Sequence, residues 1–103
     1  MNIQLKATKL ELDQETKNYI QEKFDMLEKY LGDTQVLSCR VEVGINSNHH
    51  NKGSIYFTHV NLELKGELIR VEKQEEKLFK SIDKVKDHLA ECIKKYKEKK
   101  IQY

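Results

Sequence analysis

From Leu37 to Ile45 apolar and polar residues alternate without a slip: Leu37, Cys39, Val41, Val43 and Ile45 against Ser38, Arg40, Glu42 and Gly44. A period of two means a strand with one buried and one wet face, so the chain contains a sheet covered on one side only. The pattern recurs downstream. Thr58, Val60, Leu62 and Leu64 share one face, with Phe57, His59, Asn61, Glu63 and Lys65 on the other. After a turn at Gly66, Ile69 and Val71 point inward against Arg70 and Glu72 outward. The stretch 44–53, rich in turn formers from Asn46 to Gly53, joins the first two runs as a long loop, and the three strands are predicted to form an antiparallel meander. Near the start, Ile3 and Leu5 alternate with Gln4 and Lys6 as a fourth strand, and Leu10 and Leu12 continue that alternation after a break.

Two stretches follow a helical period instead. Asp13 is placed to cap a helix carrying Glu15 and Thr16 in its first turn, with Ile20, Phe24, Leu27 and Leu31 as its apolar stripe and Gly32 as its stop. A last helix is predicted from about Glu75 to Lys99, with Leu78, Ile82, Val85, Leu89, Ile93 and Tyr96 on its apolar face. Glu75 and Glu76 at its start suit the helix dipole. Two one-sided helices on one face of a four-stranded sheet account for every apolar face. The expected fold is an α+β sandwich of order β-α-β-β-β-α, related to double-stranded RNA-binding domains. The chain of 103 residues has no proline, no flexible linker and no repeat, so it reads as one domain, residues 1–103, ending in a basic tail at about 97–103.

Several function classes fall away. No apolar run approaches a membrane span and no signal-peptide pattern follows Met1, so the expected location is cytoplasmic, with no membrane partner. Cys39 and Cys92 lie far apart and form no CxxC, which points to buried thiols, not zinc or disulfide chemistry. His49 and His50 are adjacent but lack a third ligand at metal spacing, so no metal site is expected. There is no GxSxG, no phosphate-gripping glycine loop and no catalytic carboxylate pair; neither an enzyme, a cofactor nor a small-molecule substrate is indicated. The modest size predicts modest stability.

Charge is more informative. Although the net charge is only +2, residues 1–51 carry six Lys or Arg against eight Asp or Glu, while residues 52–103 carry thirteen against nine. At 100° per residue, Lys77, Lys84, His88, Glu91 and Lys95 form a narrow stripe opposite the apolar face of the last helix, with Lys80 beside it. Lys94, Lys97, Lys99 and Lys100 follow. On the first helix Lys29 faces away from the core, and Lys23, Met26 and Tyr30 share a flank toward the partner helix. Side by side, the helices present a mostly basic surface suited to a folded RNA backbone, diluted by Glu22, Asp25, Glu28, Asp87 and Glu91.

The element order, together with particular segments, resembles the ribosome hibernation promoting factor and ribosome-associated inhibitor family, also called the sigma-54 modulation proteins. Tyr19 to Tyr30 resembles the family's helix ending in Lys-Leu-Glu-Lys and an aromatic. His50-Asn51-Lys52-Gly53 resembles the turn into its next strand. Leu78-Phe79-Lys80-Ser81-Ile82-Asp83 is similar to Met-Tyr-Ala-Ala-Ile-Asp, and Asp87 to Lys95 is similar to Asp-Lys-Leu-Ala-Arg-Gln-Leu-Asn-Lys. The resemblance runs over the whole chain, in the family's short form without the C-terminal domain that pairs ribosomes.

It implies a non-enzymatic factor, monomeric when free, that binds the small ribosomal subunit and its rRNA at the decoding region. There it blocks messenger and transfer RNA and inhibits translation in stationary phase or stress. Matched by position, Lys23, Lys29 and Lys95 keep a basic residue. His88 stands where the family usually has Lys, Glu91 where it has Arg, and Met26 where Lys is common; either these losses weaken RNA binding or Lys84, Lys94, Lys97, Lys99 and Lys100 compensate. The candidate rRNA contacts are therefore Lys23, Lys29, Lys80, Lys84, His88, Lys94, Lys95, Lys97 and Lys99. The alternatives are a general double-stranded RNA-binding domain, disfavoured by Glu72, Glu75 and Glu76 ahead of the last helix, and a protein-interaction module using a strand edge or the helix pair.

Overall fold

The computed structural model describes residues 1–47 and 54–101. Along the chain lie β1 (Gln4–Thr8), α1 (Gln14–Asp25), α2 (Glu28–Leu31), β2 (Val36–Ser47), β3 (Ser54–Leu64), β4 (Glu67–Glu75) and α3 (Leu78–Ile101). The four strands form one sheet in the order β1-β2-β3-β4. The last three make the antiparallel meander that their alternation predicts, whereas β1 runs parallel to β2, so the sheet is mixed. A parallel neighbour needs a crossover, and α1 with α2 provides it.

Burial follows the periodicities. Cys39, Val41 and Val43 of β2, Val60, Leu62 and Leu64 of β3, and Ile69 and Val71 of β4 meet Ile20, Phe24, Leu27 and Leu31 from below and Ile82, Val85, Leu89, Ile93 and Tyr96 of α3. α3 lies over β3 and β4 and alongside α1 and α2. Asp13 caps α1 as expected, its carboxylate accepting from the Thr16 N–H at 2.8 Å. Gly32 ends α2 at φ 55° and Gly66 turns β3 into β4 at φ 82°, both in the region that favours glycine.

The structure departs from the sequence expectations at six places. The single first helix is split at Met26 and Leu27, where the Leu27 N–H donates to the Phe24 carbonyl three residues back and tightens the turn. β1 stops at Thr8, because Lys9 takes a left-handed φ of 57°, and Leu10 and Leu12 fold against the core from a connecting segment. Leu37 is 51% exposed, since the β2–β3 register shifts between Val36 and Ser38 and leaves it on the bulge. The β2–β3 arms run to Ser47 and from Ser54, so strand pairing occupies much of the expected 44–53 loop; His49 and His50 lie outside the described residues. Glu75 closes β4 opposite Tyr56, and α3 begins at Leu78. Phe57 is on the expected helix-free face yet is 5% exposed, because it covers Gly44, its cross-strand partner.

A Cβ on Gly44 would stand 2.6 Å from the Phe57 ring and 2.6 Å from the Thr8 carbonyl oxygen. Gly44→Ala is therefore expected to cost about 1–3 kcal/mol, read as a lower urea midpoint at unchanged slope. A wild-type midpoint would show that the two strands do not press together there. The core also sets thiol chemistry: burial pushes the Cys39 thiol up to about 11. A thiol reagent at mildly alkaline pH should modify half-buried Cys92 in the native protein and reach Cys39 only on unfolding; equal rates would contradict this packing.

Candidate nucleic-acid interface

The helix layer presents a seam and a ridge. Along the seam, the rings of Tyr19 on α1 and Phe79 on α3 stack with centroids 4.1 Å apart and planes 7° from parallel. The Tyr19 hydroxyl donates to Asp83 at 2.5 Å, and Lys23 approaches the same carboxylate at 3.5 Å while lying over the Tyr19 ring. Burial and then the Asp83 hydrogen bond push the Tyr19 hydroxyl up to about 12, so it stays a proton donor. Further along, Lys97 donates to the Tyr30 carbonyl at 3.0 Å, taking up one of the last carbonyls of α2. Lys94 and Lys29 each place an ammonium about 5 Å from the Tyr30 ring centre.

The ridge is the outer side of α3. Lys80, Lys84, His88 and Lys95 are exposed there with Glu91 among them, and exposed Lys77 stands just ahead of the helix. Lys84 bonds Glu75 at 2.5 Å and Lys80 reaches the same carboxylate at 3.6 Å. His88, with Lys73, Lys84, Asp87 and Glu91, lines a shallow depression of about 290 Å³ at the border of the ridge and β4. Lys99 lies 3.7 Å from Glu67.

The sequence-predicted residues therefore separate into groups. Lys80, Lys84 and Lys95 share the ridge. Lys23 and Lys94 sit at the seam with Lys29 nearby on α2, His88 and Lys99 border β4, and Lys97 is occupied by a backbone carbonyl. Lys97 and Lys99 of the basic stretch belong to the last turns of α3. Sequence reasoning missed Glu75 as an ion-pair partner and Lys73 as part of the depression, both because the residues after Glu72 are polar and hide the continuation of β4. The signal was present, since Glu67, Ile69, Val71, Lys73 and Glu75 continue one alternation.

Among the described residues no group of three His, Cys, Asp or Glu is placed to hold a metal ion, and no helix is long and apolar enough to cross a membrane. The family model described as Sigma 54 modulation protein / S30EA ribosomal protein matches residues 3–101, and the chain belongs to that family, which is non-catalytic. A relative, the ribosome hibernation promotion factor of Staphylococcus aureus (strain COL), is 32% identical over 81 residues, covering 79% of this chain; the chain spans 40% of that protein's length. The crystal structure of the Thermus thermophilus Protein Y N-terminal domain shares the fold with a TM-score of 0.79, at 25% identity, over 93% of this chain and 99% of that one. A ribosomal subunit interface protein from Coxiella burnetii has the same fold, with a TM-score of 0.75 at 17% identity over 95% of this chain and 99% of that one.

The hydrogen bond from Lys84 holds the Glu75 carboxyl below its ordinary 4.5, with the charge of Lys80 adding to the effect. A depressed carboxylate contributes stability above the ordinary carboxylate range that is lost as pH falls through the depressed value. An NMR titration should give Glu75 a midpoint below 4.5 that moves back up in Lys84→Met. A wild-type midpoint at or above 4.5 would rule out the ion pair in solution.

Proposed function

We propose that this protein is a ribosome hibernation factor. In this role the helix layer docks on small-subunit rRNA at the decoding region, excludes messenger and transfer RNA, and halts translation in stationary phase or stress. The domain acts as one unit, residues 1–103, in the cytoplasm, with the small subunit and its rRNA as partner. The observation that carries this reading is the family match along residues 3–101. The exposed ridge of Lys77, Lys80, Lys84 and Lys95 supports it, because closely spaced cations along one helix suit phosphate contacts that follow a shape without reading bases. Lys23, Lys29 and Lys94 widen the same surface across the seam, and His88 and Lys99 extend it toward β4.

A general double-stranded RNA-binding reading fits less well. Its lysines belong at the start of the last helix, whereas the turn that leads into that helix here carries Glu72, Glu75 and Glu76. A protein-interaction module would bind with little dependence on salt.

Cosedimentation of the purified protein with small subunits and whole ribosomes, across a salt series and with plain RNA duplex as competitor, tests the proposal. Binding is expected to be one-to-one, resistant to duplex and steeply weakened by salt. The paired change Lys80→Glu with Lys95→Glu should lower affinity at least about tenfold at an unchanged melting temperature. Absence of binding at low salt would overturn the proposal, and wild-type affinity in the double variant would remove the ridge from it.

A further inference from the structure

The chain has only two arginines against seventeen lysines, and both lie on the face of the sheet that no helix covers. Arg40 on β2 and Arg70 on β4 occupy one cross-strand row, Gln4–Arg40–Asn61–Arg70, and both are exposed. With Asn61 between them, they stand two strand spacings apart, about 9.6 Å at the backbone. Gln4, Lys6, Arg40, Glu42, His59 and Asn61 line a concavity of about 450 Å³ on this face.

The carboxylates of the face are already engaged. Glu42 accepts from the Thr8 hydroxyl, Glu63 from the Ser38 hydroxyl, and Glu72 pairs with His59 at 2.8 Å. Among the described residues no carboxylate lies within ion-pair distance of Arg40 or Arg70, in contrast to Lys80 and Lys84 on the other side of the molecule. Two unpaired guanidinium forks flanking an amide form a donor-rich row, and guanidinium geometry matches phosphate oxygens two at a time.

We propose that this row is a second RNA contact: Arg40 and Arg70 grip the phosphodiester backbone of an RNA strand laid across the sheet, with Gln4 and Asn61 supplying neutral donors between them. The inference rests on the hibernation reading for the nature of the partner and adds a face which that reading does not use. The domain is a slab 18 Å in its thinnest dimension, with the lysine ridge on one broad side and both arginines, together with Lys6, on the other. Such a slab binds RNA on both sides at once within a cleft.

The test compares wild type, Arg40→Ser with Arg70→Ser, and Arg40→Lys with Arg70→Lys, by small-subunit cosedimentation across salt. A titration with a short single-stranded RNA, followed by backbone amide NMR, runs in parallel. The serine pair should lose at least about tenfold in affinity, and its slope of log affinity against log salt should fall by about 0.7–0.9 for each lost contact. The lysine pair should keep the slope while losing part of the affinity. The RNA strand should shift the amides of Arg40, Asn61 and Arg70.

Wild-type affinity and slope in the serine pair, with the Lys80 and Lys95 reversal still impairing binding, would overturn the sheet contact and leave the hibernation proposal standing. If wild type ignores ribosomes, that proposal fails, and the RNA titration alone decides the sheet face: unshifted amides at saturating strand reject it. Equal displacement of the strand by polyglutamate would also overturn the inference, in favour of an acidic protein partner. Unchanged melting of both variants is expected from exposed positions; should the serine pair unfold, the lysine pair and the amide shifts still decide.

Discussion

Ile82, Val85, Leu89 and Ile93 of α3 have no accessible surface, and the sheet face beneath them is built from Val60, Leu62, Ile69 and Val71 among others. Each such side chain contributes on the order of 1.5–3 kcal/mol by leaving water, so this one stripe outweighs any polar contact in the molecule. It also needs a register, and a polar pair supplies one. Ser81 and Thr58, both fully buried, share a hydrogen bond of 2.8 Å, and the Ser81 hydroxyl also donates to the Leu78 carbonyl. Sliding α3 along the sheet would leave the Thr58 hydroxyl buried without its partner, while Ser81 would keep only its bond to Leu78 within α3. The seat of α3 in turn sets where its outer lysines point and where α1 lies beside it.

Periodicity revealed most of this because each element buries only one face. The cores of β2, β3, β4, α1 and α3 all lie where alternation or helical spacing puts them. What escaped were the places where a local backbone choice overrides the period. The bulge at Leu37 and the left-handed turn at Lys9 leave no mark in the hydrophobic pattern, and the tightened turn at Leu27 preserves it. Phe57 escaped for another reason, since its burial depends on a glycine thirteen positions earlier that only the strand register brings opposite. At the candidate site, the sequence revealed which helix side is basic but not which lysines are engaged. That depended on β4 reaching Glu75, four residues past Val71, the last apolar residue of its alternation.

Those engagements rank the lysines by availability. An exposed ion pair is worth about 0–1 kcal/mol, so releasing Glu75 costs Lys80 and Lys84 little. Lys97 differs, because its ammonium satisfies a helix-end carbonyl, and withdrawing it would leave that carbonyl without its partner. It serves the joint between α2 and α3 before it serves any ligand. Lys23 lies between these cases, held by Asp83 and the Tyr19 ring yet still 25% exposed. Lys95 has no ion-pair partner among the described residues and is the most available of the predicted contacts on α3.

One-sided coverage also explains why the two broad faces carry different cations. On α3 the outward positions only have to be polar and helix-compatible, and lysine fits a mobile ridge that adapts to an irregular backbone. On the open sheet face side chains stand in fixed cross-strand rows, where a planar fork holds a set geometry and loses less freedom for each bond formed. The carboxylates on that face accept from Thr8 and Ser38 and pair with His59, and among the described residues none lies within ion-pair distance of Arg40 or Arg70. Glu75 turns toward the helix layer and restrains the ridge instead. The balance of charge that makes the whole chain nearly neutral thus leaves the arginine row open while damping the lysine ridge. Any anion that meets Lys80 or Lys84 must therefore first displace an internal carboxylate, whereas one that meets Arg40 or Arg70 displaces none among the described residues.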